Sequence, residues 1–217
     1  MQAVILAAGR GTRMRELTDA APKALLEVAG RPLLQYTLDA LPDTVDEVII
    51  IVGYLGGMIH DRFGGEYFGK RILYVEQEEL NGTAGALWLA KDILKDRFLV
   101  VGGDDMYASE DIARIAEASN WAMLVDEVES LKEGGKIIMD KKGRITGILE
   151  GAHGGPGLVN TSVYTLDARI FSCPLVPKAP GSQEYGLPQT ALAAADQLKI
   201  PLEAIPATLW IQLRSPK

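Results

Sequence analysis

The order of apolar runs along the chain predicts an α/β fold, a three-layer sandwich around a mixed, mostly parallel central sheet. Two observations carry this. Through residue 118, runs of strand length alternate with stretches of helix length, an order that needs crossover connections and covers a parallel sheet on both faces. From residue 119 onward, strand-like runs follow one another across short polar turns, as antiparallel pairing requires.

Residues 3–8 form an apolar run that stops at Gly9, as a buried parallel strand entering a loop does. Arg31 and Pro32 then open a helical stretch to residue 41, with the proline suited to its first turn. Residues 47–52 include Val-Ile-Ile-Ile-Val, β-branched throughout, and predict the second strand; a helix follows over 54–63. Residues 72–76 predict a third strand, 84–94 a helix with Thr83 as its N-cap, and 98–101 a fourth strand ending at Gly102-Gly103-Asp104. A helix over 109–118 closes this half. Strands are then expected at 121–128, 136–139, 145–149 and 158–166, with Asp140-Lys141-Lys142-Gly143 as one of the turns. The glycine-rich segment 151–157 lies between two strands and reads as a mobile loop at a site rim, too short for a linker between domains. A final helix over 187–198 precedes strands at 202–205 and 208–213, so residues 1–217 are expected to form one domain.

At 217 residues, with 47% hydrophobic and 24% charged residues, the chain can bury a sizeable core. Its formal net charge of −7 argues against a nucleic-acid or acidic-membrane surface, so any phosphate site must be a concentrated local pocket. Cys173 is the single cysteine, which excludes an intramolecular disulfide and reads as a packed thiol. No apolar run approaches the ~20 residues that span a bilayer, and no basic n-region precedes the first strand. A cytoplasmic location without membrane or nucleic-acid partners is therefore expected. His60 and His153 have no zinc-type spacing and read as bystanders, and the acidic stretch 126–133 as a solvated face.

The chemistry concentrates where predicted strands end. Gly9 and Gly11, one residue apart after a buried strand, let backbone amides approach a phosphate chain that a Cβ would fend off. Arg13 adds a bidentate cation, and Lys23, stiffened by Pro22, a point charge for a second phosphate. Asp104 and Asp105 also follow a predicted strand end, where an Asp-Asp pair read by itself is a helix-start cap.

Residues 6–34, Leu-Ala-Ala-Gly-Arg-Gly-Thr-Arg-Met followed by Pro-Lys-Ala-Leu-Leu-Glu-Val-Ala-Gly-Arg-Pro-Leu-Leu, resemble the opening of the sugar-1-phosphate nucleotidylyltransferases, LAAGxGTRM then PKxLLxVxxxPLL. The resemblance implies a Rossmann-like fold of the nucleotide-diphospho-sugar transferase type, with 1–118 as nucleotide-binding half and 119–217 as sugar-binding half. It implies a triphosphate site at Leu6, Ala7, Ala8, Gly9, Gly11, Thr12 and Arg13, with Lys23 at the reacting phosphates. Gln77 with Gly82-Thr83-Ala84 resembles the QxxxxGTAxAL element that reads the base, and a glutamine amide matches the edge of uracil or thymine. Gly103-Asp104 resembles the metal-binding GD. Glu150, Asn160 in an NxGxY-like strand, and Glu184 in an EYxLTD-like stretch correspond to residues facing the sugar.

Two departures stand out. Gly151 follows Glu150 where the family commonly has a lysine, and Gln212 stands where the WxD[IV]GTP pattern has its second metal-binding aspartate. The expected activity is condensation of a sugar 1-phosphate with UTP or dTTP, using Mg²⁺, with Arg13, Lys23 and Asp104 as catalytic residues. A cytidylyltransferase for a phosphorylated alcohol such as phosphocholine, and a non-catalytic nucleotide-binding homologue, are the alternatives. The oligomeric state, homo-oligomer included, is left open.

Overall fold

A computed structural model describes residues 1–11 and 18–213. Its elements in chain order are β1 (Gln2–Leu6), β2 (Glu27–Val28), β3 (Arg31–Pro32), α1 (Leu33–Ala40), β4 (Glu47–Val52), α2 (Gly56–Phe63), β5 (Glu66–Tyr67), β6 (Lys70–Glu76), α3 (Thr83–Trp88), β7 (Arg97–Gly102), β8 (Asp105–Tyr107) and α4 (Ser109–Ala116). The second half contributes β9 (Trp121–Val128), β10 (Lys136–Met139), β11 (Ile145–Leu149), β12 (Gly157–Asp167), α5 (Leu187–Leu198), β13 (Leu202–Pro206) and β14 (Trp210–Gln212).

The order β7-β1-β4-β6 is parallel, as the alternation of strands and helices demands. β12 joins it antiparallel to β7, β9 lies antiparallel to β12, and β13 pairs parallel with β9. β10 and β11 extend the sheet at one edge and β5 at the other. Side chains alternate between two cores: Val4, Ile49, Ile51 and Val100 face α3 and α5, while Ile5, Val48, Ile50 and Val101 face α1, α2 and α4. These are the three layers read from the sequence.

The longer strands and the last helix sit within a residue or two of expectation, but the short strands β2, β3, β5 and β8 were not expected. Arg31 and Pro32 pair with β2 instead of opening the helix, so that α1 starts at Leu33 with Pro32 as its N-cap. α3 is shorter than expected, because after Trp88 the chain tightens into three-residue turns, Ala90 N–H to the Leu87 carbonyl and Ile93 N–H to the Ala90 carbonyl. Nor is Thr83 its N-cap: Gly82 holds that position, and the Thr83 hydroxyl instead accepts the Leu187 amide at 2.9 Å. That bond ties the starts of α3 and α5 together. Among the described residues no helix is long and apolar enough to cross a membrane.

Candidate active site

An open cleft of about 660 Å³ lies where β1 and β7 end, between the parallel half and the β10–β12 region. Carboxyl ends of parallel strands are where α/β folds place ligands, because the loops there diverge to opposite faces. Leu6, Ala7, Ala8, Gly9, Gly11, Lys23, Gln77, Gly82, Thr83, Asp104, Glu150, Asn160 and Glu184 all line it. Thr12 and Arg13 lie outside the described residues.

Gly11 has φ +63°, and a Cβ there would stand 2.9 Å from Thr18 Cγ2 and 3.0 Å from Lys23 Cβ. The loop is thus folded back onto Lys23. Pro22 precedes the short 3₁₀ turn Lys23–Leu25, which presents the lysine from a stiff segment. Lys23 Nζ donates to Asp104 Oδ2 at 2.8 Å; the lysine is largely buried and the aspartate 44% exposed to the cleft. Asp104 is held there by the Gly103 amide, which donates to the Leu6 carbonyl at 3.0 Å, so the turn after β7 is fastened to the end of β1.

Asp105 turns the other way. It is buried on β8, where Trp210 Nε1 donates to its Oδ2 at 3.0 Å, so it neither caps a helix nor faces the cleft with Asp104. β14 pairs antiparallel with β8, with Gln212 opposite Asp105, and both Trp210 and Gln212 line the cleft. Asp111, fully buried, anchors the start of β14 by accepting the amides of Thr208 and Leu209.

At the end of the cleft beyond β6, Gln77 is buried, and its Nε2 donates to Asn81 Oδ1 at 3.1 Å and to the Gly82 carbonyl at 3.4 Å. Gly82 has φ +98°, and a Cβ would lie 2.4 Å from the Tyr185 carbonyl oxygen. Close packing on the 184–186 segment is therefore part of the wall.

At the other end, β12 carries a bulge between Asn160 and Val163, with Ser162 at φ 67°. The Ser162 amide donates to Asn160 Oδ1 at 2.9 Å, and the buried Thr161 hydroxyl donates to the Leu124 carbonyl. Tyr107 donates to the Thr161 carbonyl at 3.0 Å, and burial keeps its hydroxyl far above the usual tyrosine range, hence protonated. The bulge is thereby pinned from both sides and delivers Asn160 to the cleft. Glu150 Oε1 accepts from Gln189 Nε2 of α5 at 2.7 Å.

Asp104 fits a Mg²⁺ site of the kind that takes one or two carboxylates, phosphate oxygens and water. Gln212 brings an amide where a second carboxylate would stand, and among the described residues no group of three His, Cys, Asp or Glu side chains could hold a metal by itself. Such a site is complete only with the substrate's phosphates.

A profile of the family described as nucleotidyl transferase matches residues 2–191. The chain belongs to the nucleotidyl transferase family. Among curated relatives it is 35% identical over 194 residues to the UTP–glucose-1-phosphate uridylyltransferase AglF of Haloferax volcanii, covering 85% of this chain and 80% of that one. It is 34% identical over 172 residues to the bifunctional protein GlmU of Methanocaldococcus jannaschii. That match takes in 79% of the chain but only 41% of the relative's length. Among solved structures, a Bacillus anthracis protein assigned as a glucose-1-phosphate thymidylyltransferase superposes with a TM-score of 0.81 over 97% of this chain and 88% of that one. At 24% identity this speaks to the fold.

For a nucleotidyl transferase, several lining residues were not singled out by sequence reasoning. Gln189 occupies the last position of the EYxLTD-like stretch, a signal present in the motif itself. Trp210 likewise occupies the first position of the WxD[IV]GTP-like stretch, whereas Arg10 and Lys178 carried no such signal as cleft residues. Glu133 also lines the cleft, so the acidic stretch 126–133 is not wholly a solvated face. His153 remains structural: its Nε2 lies within hydrogen-bond distance of the Gly134 and Leu149 carbonyls, closing the 151–157 loop onto its neighbours.

Proposed function

We propose that this nucleotidyl transferase condenses a sugar 1-phosphate with UTP or dTTP, releasing pyrophosphate. The observation that carries the reading is the Lys23–Asp104 contact at the centre of a cleft with Gln77 and Gly82 at one end and Glu150 and Asn160 at the other. A phosphate oxygen of the sugar 1-phosphate forms the new bond to the α-phosphorus while the bond from that phosphorus to the bridging oxygen of pyrophosphate breaks. The attacking oxygen is already anionic, so the chain need supply no strong base; its work is alignment and charge neutralisation.

Lys23 neutralises the phosphates brought together at the reacting centre, and the amides of the 9–11 loop bear on the triphosphate. Arg13, assigned by the resemblance, stabilises the leaving pyrophosphate. Mg²⁺, held by Asp104 and phosphate oxygens, supplies charge neutralisation when bound. Gln77 supports a uracil or thymine base: its Nε2 is engaged by Asn81 and Gly82, which leaves Oε1 to accept the N3–H of the base. The carboxylate of Glu150 and the amide of Asn160 suit sugar hydroxyls. A quaternary ammonium acceptor is less well served, because Tyr185 and Trp210 are the only aromatics among the described lining residues, and the Trp210 indole is tied to Asp105.

The test is a matrix of four triphosphates against a panel of sugar 1-phosphates with Mg²⁺, read by pyrophosphate release. Turnover confined to UTP or dTTP with a sugar 1-phosphate is expected; no release from any pair overturns the proposal. Gln212 favours a second reading, a nucleotide-binding homologue without turnover. Saturable UTP binding in the absence of any product would select it.

A further inference from the structure

We propose that Lys178 binds the phosphate of the acceptor, an assignment that rests on the reading of this cleft as a sugar 1-phosphate site. The acceptor brings a dianion into a half of the cleft already lined by Glu133, Glu150 and Glu184. Bringing like charges together within one cleft is unfavourable unless a cation intervenes. Arg10 and Lys23 belong to the glycine-loop side, and Lys23 is engaged with Asp104. Among the described lining residues of the second half, Lys178 is the one cation.

Its backbone is fixed. The Lys178 amide donates to the Glu184 carbonyl at 2.8 Å, the Gly186 amide to the Val176 carbonyl at 3.0 Å, and Pro177 and Tyr185 form a β-bridge. This clip sets Lys178 next to the Glu150 side of the cleft: a Cβ on Gly186 would meet Gln189 on one side and Lys178 Cα, 3.3 Å away, on the other, and Gln189 is the residue that holds Glu150. The ammonium itself is loosely engaged. Its partner is Glu184 at 3.9 Å, both side chains are more than half exposed, and an ion pair so long and solvated contributes little. A phosphate dianion displaces it readily. The cation that the resemblance leads one to expect at Gly151 is thus supplied from another segment, by a residue 27 positions later in the chain.

The experiment compares wild type with Lys178→Met and Lys178→Arg, using glucose 1-phosphate and UTP. Loss of a charge-assisted contact should raise KM for glucose 1-phosphate about tenfold or more in the methionine variant, while KM for UTP stays within about twofold; arginine should restore most of the loss. An unchanged KM for glucose 1-phosphate, or an equal rise for UTP, overturns the assignment. Calorimetric titration with glucose 1-phosphate separates this from the broader reading. If wild type turns nothing over yet binds glucose 1-phosphate about tenfold more tightly than Lys178→Met, Lys178 stands and the transfer reaction falls. If wild type and variant bind it equally, or wild type does not bind it, the assignment of Lys178 falls.

Discussion

Lys23 and Asp104, 81 positions apart in sequence, meet through a 2.8 Å charged hydrogen bond at the floor of the cleft. Asp104 is too exposed for the pair to matter much to stability, where solvent screening reduces exposed ion pairs to about 1 kcal/mol or less. Lys23→Met, which keeps the apolar stem, should therefore leave the urea unfolding midpoint nearly unchanged. The same variant should lower kcat by about 100-fold, as removal of one preorganised charge at a reacting centre does. Stopped pyrophosphate release and urea titration on one preparation check both halves.

Gln212 lies opposite Asp105 across the β8–β14 pair and lines the cleft with Asp104. A carboxylate there gives Mg²⁺ a second hard ligand. Gln212→Asp should lower the Mg²⁺ concentration for half-maximal activity by about tenfold. An unchanged Mg²⁺ titration would mean that residue 212 does not reach the metal.

The site wall depends on Asp111, which has no exposure and accepts the Thr208 amide at 2.6 Å, the Leu209 amide at 3.2 Å and a hydrogen bond from Arg114 at 2.8 Å. Asp111→Ala strands these donors and should cost about 3 kcal/mol. Because β14 starts at the next residue, the indole bond from Trp210 to Asp105 should loosen as well. Chemical denaturation gives the first quantity and the shift in tryptophan emission the second.

Gly82 adopts a backbone conformation open essentially to glycine alone, with the Tyr185 carbonyl 2.4 Å from where a Cβ would be. Gly82→Ala must push the 184–186 segment away, at about 2–3 kcal/mol. KM for UTP should rise with it, since Gln77 donates to the Gly82 carbonyl. A variant as stable as wild type would show that the two segments are not in contact.

Asp167 carries a pH dependence of stability. Burial disfavours its charge, but hydrogen bonds from Arg169 and the Trp121 indole outweigh burial and hold its pKa below the usual 3.8. A depressed carboxylate pKa contributes stability that is present above the unfolded value and lost as pH falls through the folded one. The stability gap between wild type and Asp167→Asn should accordingly be constant from pH 7 to about 5 and narrow below about pH 4. Urea titrations of both proteins across that range measure it.

The sequence by itself determined the longer strands, the last helix, the loop at Gly9 and Gly11 and the lysine behind it, because each depends on local periodicity, backbone freedom or residues close in the chain. The two- and three-residue strands β2, β3, β5 and β8 are too short to show a period and exist only through their pairing. The Glu47–Val52 strand and the Leu187–Leu198 helix were legible to the residue for that reason. Only the tertiary structure decided that Asp104 meets Lys23 while Asp105 meets Trp210, although the two aspartates are neighbours of identical chemistry. It also decided that the Thr83 hydroxyl serves Leu187 instead of its own helix, that Gln189 holds Glu150, and that Lys178 lines the same cleft. Each of those relationships joins segments well separated in sequence, and which side chain faces which is set by how the sheet's halves bring their loops together.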